Sequence, residues 1–368
     1  MKVEVLRLAV LAGVASVILG GMPASAITII ASYDPSISAN AAALADIQNI
    51  VTYYDALFSN PATVNVYFQF GTTGLGESSF AQTDVTYTSW VAALGSTASA
   101  ANGYAQTADS ALSASDPLSA VDSGSVTLTD ANARALGFSV AIPTTNCVNT
   151  PTPSNPANIV CGNDATITIS STQSYEYNQT ATPGDFDFYS VVEHELDEVL
   201  GIGSALNGMS SISAGTTFAA EDYFRYACGS GGASDVTLST TDNVCFSYNG
   251  GASDVTGAQF YQEAHGPGDY NDWIWGSGGS YGCPPTTAYV QDAFACANDI
   301  PSSYAGANSP EGIVLQTLGY NASLQSSVPE PGTFGLFGLI AGGIVLARRR
   351  VARSHICAPR ACGPYDGR

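Results

Sequence analysis

The chain has 368 residues, a formal net charge of −21 at pH 7 and 45% hydrophobic residues. This apolar content is too high for a disordered acidic chain, so a packed core is expected. Between residues 27 and 327 the only basic side chains are Arg134 and Arg225. So acidic a surface makes nucleic acid and anionic membrane poor partners, and we predict no nucleic-acid binding.

The N-terminus has the composition of a secretory signal peptide. Lys2 and Arg7 precede the apolar run Leu8–Leu19, and small residues up to Ala26 form a cleavage site. We therefore assign residues 1–26 to a signal peptide and expect export.

Predicted helices and strands alternate through the mature region, residues 27–327. The strands are predicted at 27–30, 63–70, 125–128 and 165–169, and the helices at 40–58, 89–101, 130–136, 185–201 and 309–318. After residue 201 the periodicity weakens and Gly, Ser and Asn dominate. The pattern predicts a single α/β (α+β) domain, with a central helix against a mixed sheet and a loop-rich C-terminal half.

Six of the eight cysteines lie in the mature region, as the neighbours Cys147/Cys161, Cys228/Cys245 and Cys283/Cys296. Disulfides are the default expectation for an exported chain. Sequential pairing is the simplest of 15 connectivities, and the sequence leaves the choice open.

The helix predicted at 185–201 carries most of the chemistry. Its apolar residues are spaced to bury more than one face, yet it also carries His194, Glu195, Asp197 and Glu198. Such groups are costly to bury without a partner or a metal ion. His194 and Glu198 are four residues apart and share one side of the helix, as two metal ligands would.

The motif is therefore His-Glu-x-x-Glu, with His194 and Glu198 as candidate ligands and Glu195 as candidate general base. We predict one zinc ion. Because carboxylate ligands suit harder cations, manganese or calcium is the alternative.

The C-terminus joins Val328-Pro-Glu-Pro331 to an apolar run, residues 333–347, and then to Arg348–Arg350. This arrangement resembles the PEP-CTERM sorting signal of Gram-negative bacteria. The resemblance implies a sorting signal with a short transmembrane segment at 328–350, a cytoplasmic tail at 351–368 and recognition by an exosortase. It also implies an inner-membrane precursor whose mature form reaches the cell surface or extracellular matrix.

The helix also resembles that of the zincins, whose metzincin branch has His-Glu-x-x-His-x-x-Gly-x-x-His; here Glu198, Gly201 and Ser204 occupy the last three of these positions. The segments 222–226, 246–251, 268–273 and 315–320 resemble a bacterial group of PEP-CTERM proteins described as metalloproteases. The resemblance covers most of residues 27–320 and implies a zincin-like fold and a peptidase role. An edge strand at 165–169 would then bind an extended protein or peptide substrate by strand addition.

The third ligand stays open between His265, Glu221, Asp222 and Ser204. His265 is the only other histidine of the mature region and lies in an Ala-His-Gly-Pro-Gly-Asp loop, whereas Ser204 offers only a weak hydroxyl ligand. Asp269 and Asp272 lie in a loop whose composition suits calcium, without the pattern of a known calcium loop.

The leading hypothesis is thus an exported metal-dependent peptidase. The alternative is a non-catalytic matrix or surface protein with the same fold, binding extracellular polysaccharide through tryptophans such as Trp90, Trp273 and Trp275.

Overall fold

The computed structural model describes residues 26–99, 102–114, 116–145, 147–148, 158–179, 182–231, 236–262, 268–274, 289–297 and 306–323. All of them belong to the first of two units of the chain, Met1–Ser323; the second is Leu324–Arg368. The predicted sorting signal (328–350) and tail (351–368), and all but the last residue of the predicted signal peptide (1–26), lie outside the described residues.

Seven α-helices and eleven strands make up the regular structure of the described residues. The helices are α1 (Pro35–Ala39), α2 (Ala41–Leu57), α3 (Tyr87–Thr97), α4 (Gly103–Leu112), α5 (Asp130–Ala135), α6 (Phe188–Leu200) and α7 (Pro310–Thr317). The strands are β1 (Thr28–Tyr33), β2 (Thr63–Gly71), β3 (Gly76–Phe80), β4 (Gln82–Thr86), β5 (Asp122–Thr129), β6 (Ala165–Ser170), β7 (Tyr175–Glu176), β8 (Phe186–Asp187), β9 (Thr216–Ala219), β10 (Arg225–Ala227) and β11 (Val244–Phe246). The mixed α/β class is confirmed, and the described residues after Gly201 are mostly loops, as predicted.

The largest sheet has the order β1-β2-β6-β3 and is mixed. β1, β2 and β6 are parallel, and β3 runs antiparallel to β6 with Gly76 opposite Ile169. Val64, Val66 and Phe68 alternate along β2 and are fully buried. Their period of two fixes which face of the sheet meets the core.

Helix α6 packs against β3, β6 and α2. Asp187 begins it by accepting hydrogen bonds from the backbone N–H groups of Tyr189 and Ser190. Gly201 ends it at φ 134°, a conformation that an L side chain rarely adopts. The backbone therefore requires a glycine at the predicted end of the helix. The acidic residues of the helix all lie before this glycine.

The prediction that residues 165–169 form an edge strand is wrong. β6 lies between β2 and β3, and all six of its residues are buried. The edge strand is β3, a polar segment in which no strand was predicted. Its outer edge pairs with no other described strand, and β3 lies directly beside helix α6.

Two disulfides connect neighbouring cysteines, as sequential pairing predicts. They join Cys147 to Cys161 and Cys228 to Cys245. Cys296 is also disulfide-bonded, whereas Cys283 lies outside the described residues. The irregular loops of an exported chain are thereby cross-linked.

Candidate metal centre

Helix α6 presents His194, Glu195 and Glu198 to one cavity of about 760 Å³. The side chains of His194 and Glu198 are 17% and 12% exposed. Glu195 is 6% exposed. The one-turn spacing read from the sequence therefore brings these three groups to a common, nearly buried surface.

The imidazole of His194 is held in one orientation by the loop that precedes helix α7. Its Nδ1 lies 3.0 Å from the carbonyl oxygen of Val290 and donates to it. The Nε2 atom is therefore the ring nitrogen that faces the carboxylates of Asp272 and Glu198, and after loss of its proton its lone pair can bind a metal ion. A backbone carbonyl on one ring nitrogen is the usual support of a metal-binding histidine.

Asp272 completes a group of three potential ligands. Its Oδ1 lies 3.6 Å from His194 Nε2, and Glu198 Oε1 lies 3.9 Å from the same atom. One ligand atom from each residue lies within 4.8 Å of the others. That spread matches donors around one cation at 2.0–2.5 Å from each.

Hydrogen bonds from neutral side chains fix both carboxylates. Ser78 Oγ donates to Glu198 Oε2 at 2.5 Å, and Asn271 Nδ2 donates to Glu198 Oε1 at 3.2 Å. Gln291 Nε2 donates to Asp272 Oδ1 at 2.9 Å and lies 3.3 Å from His194 Nε2. No lysine or arginine joins this described group, so its negative charge lacks a permanent counter-charge.

The protonation equilibria show the same excess of negative charge. Burial lowers the pKa of the His194 imidazole, but the carboxylates of Asp272, Glu195 and Glu198 outweigh it and raise the pKa to about 10. Burial raises the pKa of Asp272 to about 7, although His194 opposes that shift. These shifts mean that the pocket attracts positive charge, which a proton or a metal ion can supply.

Glu195 lies beside this group, against the edge strand. Burial, followed by the charge of Glu198, raises its pKa well above the usual range. Gly76 of β3 approaches it so closely that a Cβ atom there would lie 2.2 Å from Glu195 Oε1. The absent side chain of Gly76 is what lets Glu195 point into the cavity.

The other predicted ligands fall in different places. His265 lies outside the described residues. Glu221 Oε2 accepts from the backbone N–H of Gly203 at 2.7 Å, and Asp222 accepts from Ser204 Oγ at 2.6 Å. These contacts tie the chain after helix α6 to the 3₁₀ helix at residues 220–224.

Sequence reasoning did not choose Asp272 as a ligand. Its loop has no periodicity, and 74 residues separate it from Glu198. The one signal in the sequence that could have pointed to Asp272 is its neighbour Trp273. Trp273 is fully buried, so the carboxylate that precedes it lies close to the protein interior. Trp90 is also fully buried, so neither of these tryptophans has an exposed face for a sugar ring. Trp275 lies outside the described residues.

The fold and its buried cluster define an α/β protein with a pocket lined by a histidine and several carboxylates. Residues 327–350 match a family described as the PEP-CTERM protein-sorting motif. This motif indicates recognition by exosortase machinery, export and sorting to the cell surface in Gram-negative bacteria. No curated protein and no solved structure matches the chain. The resemblance of residues 27–320 to metalloproteases therefore stays a prediction.

Within the part of the chain that the structure describes, no helix combines the length and the apolar character needed to cross a membrane. The predicted spanning segment at 328–350 lies outside that part.

Proposed function

We propose that the exported domain is a metal-dependent peptidase. The observation that carries this proposal is the convergence of His194 Nε2, Glu198 and Asp272 within 4.8 Å, beside a cavity that also contains Glu195. His194, Glu198 and Asp272 would hold one divalent cation. With two carboxylates and one imidazole, the donor set fits zinc and also suits manganese or calcium.

A bound divalent cation polarises a substrate carbonyl and acidifies water. The protein supplies the proton transfer. Glu195, with its carboxylate at the cavity surface, accepts a proton from the attacking water and delivers it to the leaving amine. The positive charge of the ion would also lower the pKa of Glu195, so that its base form is present at neutral pH.

Positioning of the peptide falls to the edge strand β3. Its outer edge, which pairs with no other described strand, would offer backbone N–H and C=O groups to an extended chain, and its residues 76–78 line the cavity. An extended peptide added to this edge would pass the carboxylate of Glu195. Gly76 supports this role, because its lack of a side chain lets the carboxylate of Glu195 lie against the backbone of β3.

The test compares bound metal and hydrolysis in four proteins, each produced with its disulfides formed. We expect about one ion per chain in the wild type and in Glu195→Gln, and loss of the ion in His194→Ala and Asp272→Asn. Hydrolysis should fall by about 10²–10⁴-fold in Glu195→Gln. Asp242→Asn, which changes an exposed carboxylate outside the cavity, is the matched control.

Two results would contradict the proposal. Failure of the wild type to bind zinc, manganese or calcium at this site would remove the metal, leaving His194 as an ion-pair partner of Asp272. Stoichiometric metal without hydrolysis of any peptide tested would favour the non-catalytic surface protein with a structural ion.

A further inference from the structure

The cavity in front of Glu195 is strongly acidic. No lysine or arginine is among the described residues that line it. The two positive charges of a divalent cation held by His194, Glu198 and Asp272 would offset only the negative charges of its two carboxylate ligands. Besides Asp187, which caps helix α6, three further acids line the same cavity without a part in the proposed metal or proton chemistry: Glu77, Asp269 and Asp292.

Asp269 has the most suggestive position of the three. It lines both the large cavity and a second one of about 440 Å³, and Ser78 and Glu198 also line both. Its side chain is exposed and has no hydrogen-bond partner among the described residues. Its backbone carbonyl accepts from the N–H of Asp272 at 3.1 Å, which places it in the same turn as the proposed ligand.

Asp292 adds a second, independent indication of a cationic ligand. It is 6% exposed, and its Oδ2 accepts from the N–H of Tyr289 at 2.8 Å. Its Oδ1 is buried without a hydrogen-bond partner. An unpaired oxygen of an ionised carboxylate is costly to bury so nearly completely unless a positive group approaches it.

Glu77 lies on the edge strand itself. Its Oε2 accepts from Thr73 Oγ1 at 3.2 Å, which holds the carboxylate at the same cavity. Glu77 and Asp269 therefore bring negative charge to the cavity from two different segments of the chain.

We propose that this cavity selects peptides with a lysine or arginine side chain next to the cleaved bond, and that Asp269 is the principal carboxylate that recognises it. The inference rests on the proposed peptidase function and names its substrate class. A cationic side chain would meet the unpaired charge of Asp269, whereas an acidic side chain would be repelled by it.

The protein's own composition agrees with such a preference. Its mature region contains no lysine and only two arginines, Arg134 and Arg225. Arg225 is fully buried, and Arg134 is paired with Asp164 at 2.5 Å with 13% of its side chain exposed. A peptidase that requires an accessible cation would therefore leave its own folded chain intact.

The experiment uses peptides identical except for lysine, glutamine or glutamate beside the scissile bond. For the metal-loaded wild type we expect kcat/KM at least tenfold higher for lysine than for glutamine, and lowest for glutamate. High salt should reduce the advantage of lysine, because it screens the charges. Asp269→Asn should reduce the lysine-to-glutamine ratio at least fivefold, whereas Asp242→Asn, at an exposed site outside the cavity, should preserve the ratio.

A binding measurement separates this inference from the peptidase proposal. The metal-loaded Glu195→Gln variant is titrated with fluorescently labelled forms of the lysine and glutamate peptides, and their Kd values are compared. Cleavage by the wild type with equal or reversed preference would overturn the inference and leave the peptidase function standing. Absence of any cleavage would contradict the peptidase function. In that case the substrate inference stands only if the lysine peptide binds more tightly than the glutamate peptide and Asp269→Asn abolishes this difference. Equal binding of the two peptides would overturn it.

Discussion

Gly76→Ala tests whether the edge strand sets the position of the proposed base. The added Cβ would lie 2.2 Å from Glu195 Oε1 and 2.7 Å from its carboxyl carbon. Ordinary contact begins near 3.4 Å, so the carboxylate must move by about 1.2 Å. Displacements of this size in a catalytic group cost about 10²-fold in rate. We therefore expect kcat to fall about 10²-fold.

The same change should leave folding nearly unaltered. Gly76 does not have a positive φ, so alanine suits its backbone. Replacing glycine by alanine in a strand stabilises by about 0.5–1 kcal/mol. Moving Glu195 off its rotamer costs about 0.5–1.5 kcal/mol, and the two effects nearly cancel.

The assay measures kcat, bound metal and the melting temperature for the wild type, Gly76→Ala and Gly74→Ala. Gly74 is the matched control, because a Cβ there meets nothing within 4 Å. Full activity in Gly76→Ala, or an equal loss in Gly74→Ala, would contradict this role of Gly76. Loss of the metal in Gly76→Ala would contradict it too, because Glu195 would then act on the ion and not on water.

Two other predictions concern the metal itself. Ser78→Ala removes the 2.5 Å hydrogen bond to Glu198 Oε2, and metal affinity measured by competitive chelation should fall about 10–100-fold; an unchanged affinity would show that Ser78 does not orient this ligand. Saturating zinc at about 1,000 times its Kd should raise the free energy of unfolding by about 4 kcal/mol. Denaturant titrations with zinc and with a chelator should show this difference, and Asp272→Asn should abolish it.

The site helix could be predicted because its signals are local. Asp187 and Gly201, which cap it, flank a run whose apolar residues repeat at helical spacing. The caps and the spacing depend only on neighbouring residues, so the sequence alone places His194, Glu195 and Glu198 in register. The strand at 63–70 was predictable for the same reason, since its alternating residues are β-branched or aromatic.

The edge strand and the third ligand could not be predicted in this way. β3 reads Gly-Glu-Ser-Ser-Phe, a polar segment without the β-branched residues that mark a strand. Its pairing with β6 depends on a partner that follows about 90 residues later in the chain. β6 alternates Ala165, Ile167 and Ile169 with the polar Thr166, Thr168 and Ser170, as a half-exposed strand does, so the sequence could not show that all six residues are buried inside the sheet. Asp272 reaches the site only because distant parts of the chain pack around Trp273.

Glu311 of helix α7 provides part of that packing, and its role can be tested. It is fully buried, and its Oε1 accepts from Trp273 Nε1 at 3.3 Å and from the backbone N–H of Gln291 at 3.1 Å. One oxygen thus holds the segment that carries Asp272 and the segment that orients His194. Glu311→Leu should weaken metal binding at least tenfold, because both donors lose their acceptor.

Glu311→Gln separates the hydrogen bonds from the charge. Glutamine keeps the acceptor oxygen, so metal affinity should stay within a few-fold of the wild type. Burial raises the pKa of Glu311, so the folded state holds its proton at a pH where the unfolded chain has lost it. The stability that this proton contributes is therefore fully present below the pKa of the unfolded chain, about 4.5, and is lost as the pH rises through the pKa of the folded state. Above pH 4.5 the metal-free wild type should lose stability relative to Glu311→Gln. Parallel stability–pH curves for the two proteins would show that Glu311 does not titrate in this window, and a loss of metal in Glu311→Gln would show that its charge is required.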